Sequence, residues 1–540
     1  TVTILPDPEA GARREAEEKA VLEAARAAMS EADLKAAATA AEQLQLRQNA
    51  PDSPEALATI PSLELADLPK DAQRIPTETG RIASSTLLFH DLPTSSILYL
   101  DMAFPLKGLG ERLLPYVGLL GRALLEMGTE DADYVTMSQE IGKHTGGIGT
   151  MSVLTTKWNR PDAAAYFVFR SKAIVEKVPK LLALLESILL GAKLDNRERF
   201  KQIVLEEKAQ SEASLIPSGH RLVGLRLLSR LTEAERMSES INGLEQLFFL
   251  RALAERIDSD WAGVLADLKA ARDAVVSAAG AIVNVTIDRK DFEMLRPQLE
   301  GFAAALPQGQ TGTAALQGQA GTAGARAQNS GFDAAQARGG AAAAPTMELL
   351  TAPTQVNFVG KAYPMAAAGG KPSGAFLVAK KYLDTTFLWE KVRVQGGAYG
   401  GFSMYDLNSG VFVFLSYRDP NLEKTLDTFA LASEYLDKLE ISEEELTRAI
   451  IGTIGGVDSY LLPDAKGFTS LVHYMTGYSY EDRQTMRGQI LAASPADFKA
   501  LAASIAAAAP FSIAGALSSA QKIDALPESM RDGAKITVVM

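Results

Sequence analysis

The chain has 540 residues, of which 47% are hydrophobic and 22% charged, a length that calls for two or three domains and a composition ordinary for a soluble globular protein. Its net charge of −12 disfavours general nucleic-acid binding, which needs clustered Lys and Arg, and suits contact with basic peptides. The absence of cysteine excludes a disulfide framework, a thiol nucleophile and any thiolate metal site.

The chain opens at Thr1 with neither Met nor an Arg-rich leader, so any targeting peptide is expected to have been removed or to lie upstream. Thr1 to Leu5 reads as a short strand with no neighbour to pair with, which points to a sheet belonging to something upstream. The stretch from Pro8 to Met29 is helical by composition. A second helix opens at Ser30, where Asp33 completes a capping box, and runs to about Gln48. Asp52-Ser53-Pro54-Glu55 starts another short helix. Residues 1–70 hold 13 acidic and 7 basic side chains, so this hairpin reads as solvated.

Residues 71–302 read as one α+β domain. Strands are predicted at 86–89, 97–104, 166–170 and 282–287, with helices at 111–127 and from about Ile174 to Leu190. Residues 303–352 read as a flexible linker, because Ala, Gly, Gln and Thr dominate 303–345 and cannot bury enough surface to fold. Residues 353–540 read as a second α+β domain. It has a helix at 375–392, two strands around Asn408-Ser409-Gly410, and a helix start at Ser494-Pro495-Ala496-Asp497. The apolar run from Ala500 to Leu517 is broken by Ser504, Pro510 and Ser512, so it predicts a helix end and a strand, not a membrane span.

The two domains share an order of features. Thr145-Gly146-Gly147-Ile148-Gly149 precedes a strand, a turn near Asn159 and a strand ending Phe169-Arg170. Gly396-Gly397-Ala398-Tyr399-Gly400 precedes a strand, the Asn408 turn and a strand ending Tyr417-Arg418. A long helix and an acidic helix start follow in both. This is an internal repeat of whole domains.

The four histidines, His90, His144, His220 and His473, are 54, 76 and 253 residues apart, so no two share a helical turn. Glu140 lies four residues before His144, but two groups without a third make a poor zinc site. Gly369-Gly370-Lys371 is followed by Pro372 and is no phosphate loop. Ser218-Gly219-His220 has no visible acid partner.

The segment from Arg393 to Phe402 reads Arg-Val-Gln-Gly-Gly-Ala-Tyr-Gly-Gly-Phe and sets an arginine and a tyrosine across a glycine-rich backbone. It resembles the substrate-clamping segment in the C-terminal half of pitrilysin-type zinc metalloproteases of the presequence protease branch. The same resemblance runs through residues 51–61 (Pro-Asp-Ser-Pro-Glu-Ala-Leu-Ala-Thr-Ile-Pro), 355–361 (Gln-Val-Asn-Phe-Val-Gly-Lys), 416–422 (Ser-Tyr-Arg-Asp-Pro-Asn-Leu) and 452–455 (Gly-Thr-Ile-Gly). It covers nearly the whole chain except 303–345.

The resemblance implies two related pitrilysin-like α+β domains, the third and fourth of four, preceded by a helical hairpin that connects two halves. It implies a clamshell that closes on short unstructured peptides, cleaved targeting peptides among them, in the mitochondrial matrix or chloroplast stroma. The zinc, its two histidines, the glutamate base and a further glutamate ligand come in that family from the N-terminal half. The motif His-x-x-Glu-His occurs nowhere in this chain, and the matching helix, Leu119 to Met127, has no His. The chain is therefore expected to hold no metal, to need a zinc-bearing N-terminal half as partner, and to be inactive alone.

By the same resemblance Arg393 positions the substrate and Tyr399 stabilises the carbonyl oxygen as it gains charge. Gly396, Gly397, Ala398 and Gly400 let the backbone approach the peptide. Neither nucleic acid nor membrane is expected as partner. The alternatives are a stand-alone, non-catalytic peptide-binding subunit and a structural subunit, the latter having no need of the Arg393–Tyr399 pair.

Overall fold

A computed structural model describes residues 10–50, 52–57, 59–61, 63–308 and 346–540. The strand read at Thr1 to Leu5 and most of the low-complexity stretch lie outside these residues. The described chain falls into two compact units divided after Leu63. In the first, the helices Ala10–Ala28 and Glu31–Asn49 are separated by the predicted capping box, with Asp33 N–H donating to Ser30 Oγ (3.2 Å) and Ser30 N–H to Asp33 Oδ2 (3.0 Å). Their described side chains are exposed, as the charge density demands, and the short helix Pro54–Leu57 follows.

The second unit is built on two six-stranded sheets. The first contains β1 (Glu78–Ile82), β2 (Ser85–Asp91), β3 (Ile97–Pro105), β4 (Ile148–Thr156), β5 (Ala163–Ile174) and β6 (Ile282–Ile287), in the order β1-β2-β6-β3-β5-β4. The second contains β7 (Met347–Thr351), β8 (Phe358–Pro364), β9 (Gly400–Asp406), β10 (Val411–Tyr417), β11 (Ile513–Ser518) and β12 (Lys535–Val538), in the order β12-β7-β11-β8-β10-β9. Without the outer strands β1 and β12 the two orders are the same. The pairing senses match as well: β2–β6 and β7–β11 are parallel, and the remaining pairs antiparallel. The internal repeat is thus a repeat of topology. The outer strands differ in origin, β1 forming a hairpin with β2 and β12 arriving from the C-terminal end to lie parallel to β7.

Three boundaries depart from the sequence reading. The linker read at 303–352 is too long at both ends. Residues 303–305 finish the helix Arg289–Ala305, and β7 lies within the remainder with Leu349 and Leu350 buried. β7 is a five-residue strand that owes its place to β11 and β12, both far away in sequence, so local composition concealed it. Ile174 ends β5, and the helix begins at Val178. The α-helix predicted over 375–392 stops at Thr385, and Trp389–Val394 continues in a wider π-helical turn. No single helix among the described residues is long and apolar enough to cross a membrane. The helices Tyr480–Leu491 and Pro495–Phe511 approach that requirement only as a pair bent by 112°. Ile490, Phe498, Leu501 and Ile505, which supply its apolar character, are buried in the core.

A face of each sheet is covered by a helix from the other repeat. The helix Gly219–Leu228, between β5 and β6 in sequence, lies on the second sheet, where Val223 and Leu227 pack with Phe358, Ala362, Leu415 and Leu517. The helix Pro463–Thr476, between β10 and β11, lies on the first, where Leu471 and Met475 pack with Leu88, Ala103, Val168 and Ile282. Glycines let both helices come close. A Cβ on Gly219 would stand 2.5 Å from Phe358 Cδ2, and one on Gly467 would collide with Thr286 Oγ1. Burial of each large apolar side chain contributes roughly 1.5–3 kcal/mol.

The second contact also carries a buried polar chain. His90 Nε2–H donates to Asn284 Oδ1 (2.8 Å), and Asn284 Nδ2 donates to Asp101 Oδ2 (3.0 Å) and to the Gly467 carbonyl (3.3 Å). Arg170 Nε donates to Asp101 Oδ1 (2.9 Å), with its guanidinium 4.0 Å over the Phe468 ring. Burial pushes the Asp101 carboxyl up despite the pull of Arg170.

Gly219→Ala is expected to lower stability by about 1–3 kcal/mol through overpacking against Phe358. Gly301→Ala, in a helix where nothing lies within 4 Å of the added methyl, is expected to raise it by about 0.5–1 kcal/mol. Denaturant midpoints of the two variants check both signs. A pH effect follows from His473 on the helix Pro463–Thr476, whose imidazole is pushed down to about 4 by burial and by Arg483. The unfolded chain takes this proton near pH 6.5 and the folded one resists it, so stability falls as pH drops from about 6.5 toward 4, by up to about 3 kcal/mol. Unfolding midpoints at pH 7 and 4.5 should differ less in His473→Phe than in the wild type.

Candidate functional site

The segment singled out by sequence sits at the open edge of the second sheet, where β9 begins. In the π-helical turn Trp389–Val394, Gln395 N–H donates to the Glu390 carbonyl five residues back (2.9 Å). The chain then reverses: Gly397 N–H donates to the Arg393 carbonyl (2.8 Å) and Ala398 N–H to that of Val392 (3.1 Å). A Cβ on Gly396 would run into the Val392 carbonyl oxygen, and Gly397 has φ +78°. Glycine is required at both for steric reasons.

Arg393 and Tyr399 emerge together from this turn. The Arg393 guanidinium lies 4.2 Å over the Trp389 ring and 5.7 Å from the centre of the Tyr399 ring. Tyr399 is 65% exposed, a high value for a tyrosine held at a strand start. Its ring meets Tyr417 edge to face at 5.7 Å, and its N–H donates to the Arg418 carbonyl (3.3 Å). Among the described residues, neither the Tyr399 hydroxyl nor the Arg393 guanidinium has a hydrogen-bond or ion-pair partner. Both are free to donate outward.

The other predicted positions divide. Gly397 is exposed and Gly396 and Gly400 are half-buried, so their backbones are accessible. Ala398 is a correction: its methyl is buried in the second sheet's core, so no substrate contact can come from this side chain. The reversal of the chain turns position 398 inward so that 399 faces out.

Sequence reasoning did not assign the bracket behind the turn. Asn357 and Asp419 exchange backbone hydrogen bonds of 2.7 and 2.8 Å, and the Asn357 side chain adds one to the Asp419 carbonyl (2.9 Å). The Asp419 carboxylate accepts from Asn421 N–H (2.9 Å) and the Thr425 hydroxyl (2.7 Å), while burial pushes it up. Asn421 Nδ2 in turn donates to the Gly396 carbonyl (2.6 Å). Two segments far apart in sequence thereby fix the glycine turn. Their signal was the concentration of Asn, Asp and Ser at strand ends in 355–361 and 416–422. His220 was read as an ordinary histidine. Its ring lies 4.9 Å from that of Tyr417 and 5.7 Å from that of Phe402, and burial with Arg221 nearby pushes it down.

The corresponding turn of the first sheet repeats the geometry without the chemistry. Gly147 has φ +114°, and Gly146 lies under the Lys172 stem with its N–H on the Lys172 carbonyl (2.7 Å). The hollow beside it, about 410 Å³, is lined by Tyr99, Asp101, Arg170, Lys172 and Asp464.

No group of three or more His, Asp or Glu side chains able to hold a metal occurs among the described residues. Glu140 and His144 approach to 3.5 Å, but Glu140 also meets Lys180 at 3.1 Å, which pulls its carboxyl down. On the helix Leu114–Glu126, Arg122 stands among Glu126 (2.7 Å), Glu206 (2.5 Å) and Glu207 (3.0 Å). These carboxylates already hold a cation, and the residues present do not fit zinc.

Residues 4–253 match the family model of the region associated with M16 peptidases of subfamily C, and residues 347–509 match "PreP C-terminal domain". The chain is 39% identical over 525 residues to Presequence protease 1, chloroplastic/mitochondrial, of Arabidopsis thaliana, covering 97% of this chain and 47% of that protein. The chain belongs to the presequence protease family. It corresponds to the C-terminal half, and it spans about half the length of the curated relatives it matches. Protein HypA of Clostridium perfringens is 31% identical over 93% of this chain and 49% of its own length. Among solved structures, the peptidase M16 inactive domain from Pseudomonas fluorescens superposes with TM-score 0.57 at 18% identity, covering 82% of this chain and 98% of that one. That likeness supports the pitrilysin-like α+β fold.

Gly396→Ala is expected to cost about 2 kcal/mol by displacing the turn, and Asn421→Ala about 1 kcal/mol by removing its bond to Gly396. Hydrogen exchange should quicken at the amides of Gly397 and Ala398 in both variants and stay slow along β10.

Proposed function

We propose that this chain is the substrate-clamping half of a zinc metalloendopeptidase that degrades cleaved targeting peptides and other short unfolded peptides. On this reading the two sheets are the cores of the third and fourth α+β domains of a four-domain enzyme. The helices of residues 10–49 are the connector to an N-terminal half that carries the metal. The organelle names of the Arabidopsis relative and of a mitochondrial presequence protease from Yarrowia lipolytica, 25% identical, support a mitochondrial or chloroplast setting.

The observation that carries the proposal is the pairing of Arg393 with Tyr399 on a sterically obligatory glycine turn, both with free donors. Hydrolysis of an amide places negative charge on the carbonyl oxygen, and the Tyr399 hydroxyl is suited to donate to that oxygen. Arg393, stacked on Trp389, loses little freedom on binding and presents its N–H groups to peptide carbonyls, which orients the scissile bond. The exposed edge of β9 and the accessible backbone at Gly397 leave room for an extended peptide alongside. Zinc would supply the activated water from the other half, and no residue of this chain is assigned to it.

The test is cleavage of an Arg-rich amphipathic peptide by this chain alone and after mixing with a zinc-bearing N-terminal half. Activity is expected only in the mixture and is lost on chelation. In that mixture Arg393→Ala and Tyr399→Phe should each lower turnover by about 10- to 100-fold at unchanged zinc content. Unchanged turnover in both would refute the assigned roles, and cleavage by the chain alone would refute the division of labour.

A further inference from the structure

Arg418 occupies a position where glycine would be easier. Its φ is +48°, a left-handed conformation that costs a residue with a side chain about 1 kcal/mol or more. The backbone is held there from both sides, by the Tyr399 N–H on the Arg418 carbonyl (3.3 Å) and by the paired bonds between Asn357 and Asp419 (2.7 and 2.8 Å). The side chain this conformation displays is exposed, lies 5.4 Å from the centre of the Tyr417 ring, and has no ion pair among the described residues. Acidic residues outnumber Lys and Arg by 66 to 54 in this chain, so a carboxylate partner is readily available in composition, yet none is placed here.

Arg393 likewise makes no ion pair among the described residues. With Tyr399 and Tyr417 edge to face at 5.7 Å, the order Arg393, Tyr399, Tyr417, Arg418 sets two guanidiniums around two phenol rings. Tyr417 is in turn propped by His220 (4.9 Å) and Phe358 (5.7 Å), so the platform under Arg418 is packed from behind. Stacking on an aromatic face uses the guanidinium plane and leaves its N–H edge free. That edge matches a carboxylate with two parallel hydrogen bonds.

We propose that Arg418, with Arg393 beyond the two tyrosines, forms a carboxylate-binding subsite for the bound peptide. The inference rests on the clamp reading of Arg393 and Tyr399 and narrows it: the peptide is gripped through a negative group as well as through its backbone. That group is either the free C-terminal carboxylate or an Asp or Glu side chain.

Four fluorescently labelled versions of one otherwise neutral peptide separate these sources: a C-terminal acid, its amide, the amide with one internal Glu, and the amide with Gln in that place. Binding to the chain by anisotropy is expected to be about tenfold tighter for the acid than for the amide, or for the Glu than for the Gln peptide. Whichever pair discriminates identifies the source. Arg418→Gly should abolish the difference while melting no lower than the wild type, because glycine relieves the backbone strain. Arg418→Lys should keep only part of it. Equal or undetectable binding of all four peptides, or discrimination that survives Arg418→Gly, would overturn the subsite. Failure of the clamp reading would show separately, as normal turnover of Tyr399→Phe in the reassembled enzyme.

Discussion

The structure depends on a reciprocal exchange. A sheet buried on both faces needs two coverings, and β6 and nearly all of β10 are buried at every residue. Each repeat lends one helix to the other, Gly219–Leu228 to the second sheet and Pro463–Thr476 to the first. The exchange makes the sheets interdependent, since removing either helix would expose the apolar face of a sheet built largely from the other repeat. It also makes the candidate site composite, because His220, at the start of the lent helix, packs on Tyr417 behind Tyr399.

Duplication followed by divergence is visible at the two glycine turns. Both have a glycine with positive φ just before an edge strand, Gly147 and Gly397. In the first, the arginine of β5 is tied down: Arg170 donates to buried Asp101 and lies on Phe468 of the visiting helix. In the second, Arg418 just past the end of β10 has no such partner among the described residues, and Arg393 and Tyr399 are added on the outer side of the turn. The same backbone device serves docking between repeats in one sheet and an open, donor-rich surface in the other. The difference lies in which guanidiniums have their donors consumed internally.

Much of this was legible before any coordinates. The strands at 97–104 and 282–287 are long β-branched or apolar runs, and the capping box at Ser30 is a local chemical pattern, so both read directly from sequence. The repeat showed through because turn glycines and strand ends recur in order. What failed were features whose cause is distant. β1 is a mostly exposed, polar strand that exists because it pairs with β2, and β7 is held by β11 and β12. The helix after Ala375 gives way to a π-helical turn that no propensity anticipates. Within the site, Arg393, Tyr399 and the glycines were legible, because their spacing on a glycine-rich backbone is itself the signal. The bracket of Asn357, Asp419, Asn421 and Thr425 was not, since a buried hydrogen-bond network is defined by which strands become neighbours.

The sequence by itself determined the class of fold, its duplication, the family resemblance and the position of the arginine–tyrosine pair. Glycine placement, apolar periodicity and capping chemistry are all written within a few residues of where they act. Tertiary structure alone decided that Ala398 turns inward while Tyr399 turns out, that Arg122 stands among three carboxylates, and that each sheet is roofed by the other's helix. Those outcomes depend on long-range pairing and on which polar groups lose their water, and neither is encoded in any local stretch of the chain.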